Sequence, residues 1–210
     1  MKTLLMALTG FTLLGAATGC SKKEAPHGEK IVYETNFDHD DGFFYTGENS
    51  TGAGSLQNGI YTMRNKKTQY VNFFYTSSLF NGISGNIALE ARVKPGSGNW
   101  GGLRWNDDAG ISGNNARTFE VKGNGLYSIG KYAAGGAYVA ISGDAYSAAY
   151  VKDDFNVLRI EQRDGTTHFL INGTEVYTMP ANGDRLDICG FLVETDATLQ
   201  ADYFKAIQLY

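Results

Sequence analysis

The feature that most constrains this chain is its turn chemistry. Asparagine–glycine pairs recur at Asn58-Gly59, Asn81-Gly82, Asn124-Gly125, Asn172-Gly173 and Asn182-Gly183, and Asp41-Gly42 and Asp164-Gly165 extend the set. Such pairs accept positive φ at both central positions of a tight turn, and these turns match the twist of paired strands. Between them the residues alternate. Ile87, Leu89, Ala91 and Val93 fall on one side, and Ala88, Glu90, Arg92 and Lys94 on the other. Phe119 and Val121 alternate with Glu120 and Lys122, Tyr127 and Ile129 with Ser128 and Gly130, and Leu158 and Ile160 with Arg159 and Glu161. A period of two marks half-buried antiparallel strands. No helical stripe of any length interrupts them; Asp144 to Val151 has room for a single helical turn. About twelve strands in one such stretch predict an all-β, two-sheet antiparallel β-sandwich, a single domain, rather than a small barrel.

The core this requires is present. The chain carries 12 Phe, 13 Tyr and 2 Trp, with β-branched residues among them. Cysteine adds no bridge. Cys189 lies in the apolar run Ile188-Cys189-Gly190-Phe191-Leu192-Val193 and reads as a buried, inert thiol. The formal net charge is −4. With no run of Lys or Arg, that argues against a nucleic-acid partner and against electrostatic adhesion to anionic lipid.

The first residues carry an address. A cationic start at Met1-Lys2 precedes an apolar run from Leu4 to Ala17, then Ala17-Thr18-Gly19-Cys20. This resembles a bacterial lipobox, with Ala17 where Leu is usual. The resemblance implies a signal peptide over 1–19 and lipidation of Cys20 as the first mature residue. The alternative is a secretory signal cut after an Ala-x-Ala-like site. Residues 20–30 read as the lipidated cysteine and a flexible tether, and 31–210 as the sandwich domain. A lipid membrane is then a partner through acylated Cys20. Ser21 resembles outer-membrane sorting in enteric-type bacteria, so the expected place is the bacterial cell envelope, lipid-anchored, at the outer membrane.

The segment Asn156-Val157-Leu158-Arg159-Ile160-Glu161, Asp164-Gly165 and Phe169-Leu170-Ile171-Asn172-Gly173-Thr174-Glu175-Val176 resembles a hairpin of concanavalin A-like jelly rolls. Laminin-G-like modules and domains related to 3-keto-disaccharide hydrolases belong to that group. Phe119–Ile129, Gly102-Leu103-Arg104-Trp105 and the closing Ala201–Ile207 resemble the same group, in the same order. The resemblance implies a jelly-roll fold that hosts lectins, hydrolases and adhesion modules, so it selects no function by itself.

No catalytic set stands out. Glycosidases need paired carboxylates, and jelly-roll glucanases place them on one strand as Glu-x-Asp-x-x-Glu, a run absent here. Glu90-Ala91-Arg92 is the nearest place, with Glu120 and Glu161 outward on other strands and able to face Glu90. His27, His39 and His168 show no metal-ligand spacing. A binding surface is better supported. If Leu103 and Trp105 point into the core, Trp100, Arg104 and Asn106 point out, with Glu90 and Arg92 on the preceding strand beside them. That set suits a sugar: an aromatic face for a pyranose ring and planar polar groups for its hydroxyls. Tyr132, Tyr138, Tyr146 and Tyr150 form a second aromatic group near loops. No cofactor is required, but Asp38, Asp40 and Asp41 at the first turn, with Asp202 opening the last strand, have the oxygen chemistry of a structural Ca2+ site. The leading expectation is a non-catalytic, carbohydrate-binding envelope lipoprotein with an oligo- or polysaccharide partner. The alternatives are a glycoside hydrolase or lyase related to 3-keto-disaccharide hydrolases, and a module that binds a protein partner or serves a structural role in the envelope.

Overall fold

The structure, a computed structural model, describes residues 28–68, 71–77, 79–80, 83, 85–106, 115–133 and 136–210. Cys20, its signal and most of its tether, His27 and the Asn81-Gly82 pair lie outside the described residues. The strands are β1 (Glu29–Thr35), β2 (Gly47–Glu48), β3 (Gly52–Gln57), β4 (Ile60–Asn65), β5 (Asn72–Ser77), β6 (Ile87–Pro95), β7 (Trp100–Trp105) and β8 (Arg117–Lys122). They continue as β9 (Leu126–Tyr132), β10 (Tyr138–Ala140), β11 (Ala145–Tyr146), β12 (Asn156–Arg163), β13 (Thr166–Ile171), β14 (Thr174–Pro180), β15 (Ile188–Val193) and β16 (Thr198–Leu209). There is no helix among the described residues. The stretch allotted a helical turn instead holds β11, which pairs with β9 through Ala145 opposite Tyr127.

Two antiparallel sheets form. The nine-stranded sheet runs β14-β13-β12-β6-β16-β4-β3-β2, with β1 on β16; the seven-stranded sheet runs β10-β9-β8-β7-β15-β5, with β11 on β9. β1 begins at Glu29, inside the segment read as tether, because Glu29 pairs with Leu209 and its carboxylate meets Arg159.

The alternation read from the sequence places the core. Leu89, Ala91, Val93, Leu158, Ile160, Phe169 and Phe204 of one sheet face Leu103, Trp105, Phe119, Val121, Ile129 and Phe191 of the other, and all are fully buried. Phe191 and Phe204 meet across the sandwich with ring centroids 5.6 Å apart. Cys189 is buried and free, and burial raises its thiol pKa, so it packs as an inert apolar group.

The turn residues behave as their chemistry requires. Asn58, Asp164, Asn172 and Asn182 have φ near +50° and are each followed by a glycine with φ above +70°. Asn172 does more. Its amide oxygen accepts the Val157 N–H at 2.8 Å, and its amide nitrogen donates to Ala149 O and to the Asn156 side chain. Asn156 is fully buried; it accepts the Val151 N–H at 2.7 Å and donates to Val151 O and Asp154 O. These two asparagines clasp the 147–155 connection onto the β12–β13 hairpin. The motif that carries the jelly-roll resemblance is therefore structural in its chemistry.

Candidate functional site

On the seven-stranded sheet the residues that do not enter the core share the opposite face. Trp100, Gly102 and Arg104 of β7 pair with Lys122, Glu120 and Thr118 of β8, and Glu120 and Thr118 pair in turn with Ser128 and Gly130 of β9. Glu194 follows β15; it donates its N–H to Trp100 O, and its carboxylate accepts the Trp100 N–H at 2.7 Å. A cavity of about 270 Å³ opens on this face, lined by Val71, Trp100, Glu120, Ser128, Tyr132, Tyr138, Asp144 and Glu194.

Gly130 sets the shape of this cavity. A Cβ added there would lie 2.3 Å from the Tyr138 ring, so only glycine lets that ring lie across β9. Tyr138, opposite Tyr132 in the β9–β10 pairing, then packs edge-on against it at 5.4 Å and brings its hydroxyl to 3.2 Å from Ser128 Oγ.

Glu120 is the chemical centre. It is 8% exposed, and its Oε1 atom makes no well-aligned hydrogen bond, although the Thr118 hydroxyl lies beside the carboxyl. Its pKa is pushed up to about 7, first by burial and further by the negative charges of Glu194 and Asp144, while the Thr118 hydroxyl offsets part of the rise. The site thus offers aromatic surface, carboxylates and a buried acceptor in need of a donor.

The structure redistributes the residues expected here. Trp100 lines the cavity as the alternation implied. Arg104 has the expected direction but is 3% exposed, so it underlies the face, where its charge acts on Tyr132. Asn106 leaves the strand with φ +57°, which turns its side chain away. Its oxygen accepts Arg185 N–H at 2.8 Å and its amide donates to Asn115 O, so it joins loops rather than lining the cavity.

Glu90 and Arg92 are not neighbours of Trp100. The chain passes from one sheet to the other between Pro95 and Trp100, so "outward" on β6 and on β7 means opposite surfaces of the sandwich. Glu90 accepts from Arg159 and from the Tyr203 hydroxyl; Arg92 bonds Asp202 and stacks over Phe155. For the same reason Glu120 does not face Glu90, and Glu161 is held by Arg159 and Arg163.

The aspartates do not converge either. Asp202 is the bulge residue of β16 and is engaged by Arg92. Asp40 accepts from Thr46 and the Gly42 N–H, Asp41 from Tyr33 and the Phe43 N–H, and Asp38 from the Asn36 amide. Their oxygens serve their own loop, and no group of three or more His, Cys, Asp or Glu side chains suited to a metal occurs among the described residues. His168 pairs with Glu175, and His39 is exposed.

The second aromatic group divides. Tyr132 and Tyr138 join Trp100 in the cavity, whereas Tyr146 lies against Gly125 and Tyr150 lines a different cavity. Glu194 and Asp144 are additions that the sequence reading missed. Glu194 is visible there only as the residue that ends the apolar run of β15 in phase with Gly190 and Leu192.

No family profile matches the chain, and no curated protein sequence does. Its architecture is shared with solved structures. The catalytic domain of an endo-1,3-beta-glucanase (laminarinase) from Thermotoga petrophila RKU-1 superposes with a TM-score of 0.60 at 15% identity, covering 87% of this chain and 99% of that one. The endo-beta-1,3-glucanase from Pyrococcus furiosus gives 0.59 at 12%, over 87% and 95%. The CBM2 module of an evolved Dit from Lactobacillus casei BL23 phage J-1 gives 0.57 at 11%, over 88% and 98%. At such identities the likeness speaks to architecture alone, and with the sheet order above it establishes the fold: a two-sheet antiparallel β-sandwich of the concanavalin A-like jelly-roll type.

Proposed function

We propose that the outer face of the seven-stranded sheet binds an oligo- or polysaccharide. The observation that carries this reading is Glu120 Oε1, a buried acceptor served by no well-aligned donor, at the edge of an aromatic-lined cavity. Buried polar groups are nearly always satisfied, so one left open on a pocket calls for a ligand donor. Sugar hydroxyls supply such donors, and Trp100, Tyr132 and Tyr138 supply faces for the apolar side of a pyranose. Neighbours of this fold include laminarinases and a CBM2 module, which is consistent with a glycan ligand. Export and acylation at Cys20 complete the reading: a glycan-binding lipoprotein of the cell envelope. Labelling with a clickable fatty acid tests that part, and equal labelling of Cys20→Ala contradicts it.

A second reading, glycoside hydrolysis, is favoured by the same carboxyl. A buried acid with a pKa near 7 suits a proton donor at neutral pH. Glu194 is the second carboxylate. It lines the same cavity, and its charge helps raise the pKa of Glu120, the kind of paired-carboxylate arrangement glycosidases use. A glycan array on the full chain identifies the ligand, and reducing-end release from each bound glycan separates the two readings. Binding without release is the outcome for a binding protein, while release abolished in Glu120→Gln makes it a hydrolase. Absence of binding to every glycan overturns both.

A further inference from the structure

A second cavity, of about 400 Å³, lies at one end of the sandwich, beyond Trp100. Its floor is made where the β6–β7 and β8–β9 turns touch: a Cβ on Gly123 would lie 3.4 Å from Gly98 N. Three lysines from three separate segments line it: Lys94 at the end of β6, Lys122 at the end of β8 and Lys152 in the 147–155 connection. Lys94 and Lys152 form no ion pair among the described residues, and Lys122 holds its ammonium 5.5 Å over the Trp100 ring. The carboxylates present are Asp153 and Asp154. Asp154 is already engaged by the Phe155 N–H at 2.7 Å and by Arg92 at 4.0 Å, and Asp153 occupies a turn with φ +60°. In a chain whose net charge is −4, three lysines against two aspartates, one of them held by Arg92, leave the lining of this cavity net positive. Tyr150 and Pro95 add apolar wall.

We infer that this cavity takes the anionic group, a sulfate ester or a uronate carboxylate, of an acidic glycan whose adjoining sugars lie on Trp100. This rests on the glycan reading of the neighbouring face and narrows its ligand to acidic sugars. Lys122 joins the two regions, since it lines the cavity and covers the tryptophan. A chain crossing Trp100 toward the turns delivers its charge to the lysines.

The test is calorimetric titration of the full chain with three probes of equal length: neutral β-1,3-gluco-oligosaccharide, carrageenan oligosaccharide and oligogalacturonate. Each is run at low and physiological salt, on wild type, Lys94→Gln/Lys152→Gln and Trp100→Ala, with melting curves confirming that each variant folds. The expected result is that at least one acidic probe binds roughly tenfold tighter than the neutral one. That advantage falls with salt, as screening requires, and disappears in the double-lysine variant. Preference for carrageenan identifies sulfate and preference for oligogalacturonate identifies carboxylate. Acidic probes binding no tighter than the neutral one, or equally well to the lysine variant, overturn the inference while Trp100-dependent binding keeps the face reading intact. Lysine-dependent binding that Trp100→Ala leaves unchanged supports the cavity as an anion site but overturns its joining to the face.

Discussion

Asn156 shows how much one buried polar side chain holds. Removing its amide leaves Val151 N–H, Val151 O and Asp154 O without their partner and releases one bond from Asn172. Each orphaned group costs about 1–3 kcal/mol. Asn156→Ala is therefore expected to lose roughly 2–4 kcal/mol and to lower Tm by roughly 5–10 °C, read by calorimetry; an unchanged Tm would show the clasp to be redundant. Glu120 works in the other direction. Its pKa rises from 4.5 to about 7 on folding, so the folded state resists its ionisation. The sign follows: this carboxyl's contribution to stability is fully present below about pH 4.5, where both states are protonated, and is lost as pH rises through about 7. The loss at alkaline pH is at most about 3 kcal/mol. Glu120→Gln removes it, so the variant melts above wild type at pH 8 and alongside it at pH 4. Identical pH–Tm curves would mean that the carboxyl is not buried in this way. A group kept at a cost to folding at working pH is expected at a functional site.

Strand β9 with β10 is the element on which the cavity depends. Glycine inside a strand ordinarily weakens it, and alanine would otherwise be an improvement of about 0.5–1 kcal/mol. Here Gly130→Ala drives a methyl into the Tyr138 ring and displaces it from Ser128. The expected outcome is a glycan affinity reduced about tenfold with the fold retained, measured by titration beside a melting curve; unaltered affinity would separate Tyr138 from the site. Elements of this kind are legible in part. Alternation correctly assigns Leu103, Trp105, Phe119, Ile129, Leu158 and Ile160 to the core, and the Asn/Asp-Gly pairs mark real reversals. What alternation cannot carry is which outer surface a strand presents. Glu90 and Trp100 lie only a turn apart in sequence, yet the chain changes sheets between them, so their side chains occupy opposite surfaces. Asn106 shows a local version: one residue with positive φ breaks the phase of Trp100, Gly102 and Arg104. Glu194 and Asp144 reach Glu120 through strand neighbours distant in sequence, which no local pattern encodes.

At the scale of the molecule the two outer surfaces differ in kind. On the nine-stranded sheet, charges neutralise one another: Arg159 with Glu29, Glu90 and Glu161, Arg92 with Asp202, Lys205 with Glu34. On the seven-stranded sheet, Glu120 keeps an open acceptor beside aromatic surface, and the lysine cavity adjoins it. A surface closed by its own ion pairs stabilises the sandwich, while one with unmet hydrogen-bonding capacity is suited to a ligand. The two tryptophans permit a direct test of that assignment, because Trp105 is fully buried in the core whereas Trp100 lines the cavity. Acrylamide quenching of the full chain therefore reports on Trp100, and the measurement is to repeat it during titration with each glycan that binds. Saturation is expected to shield the quenchable tryptophan, and Trp100→Phe to remove the signal. A bound glycan that leaves Trp100 fully quenchable would contradict that assignment.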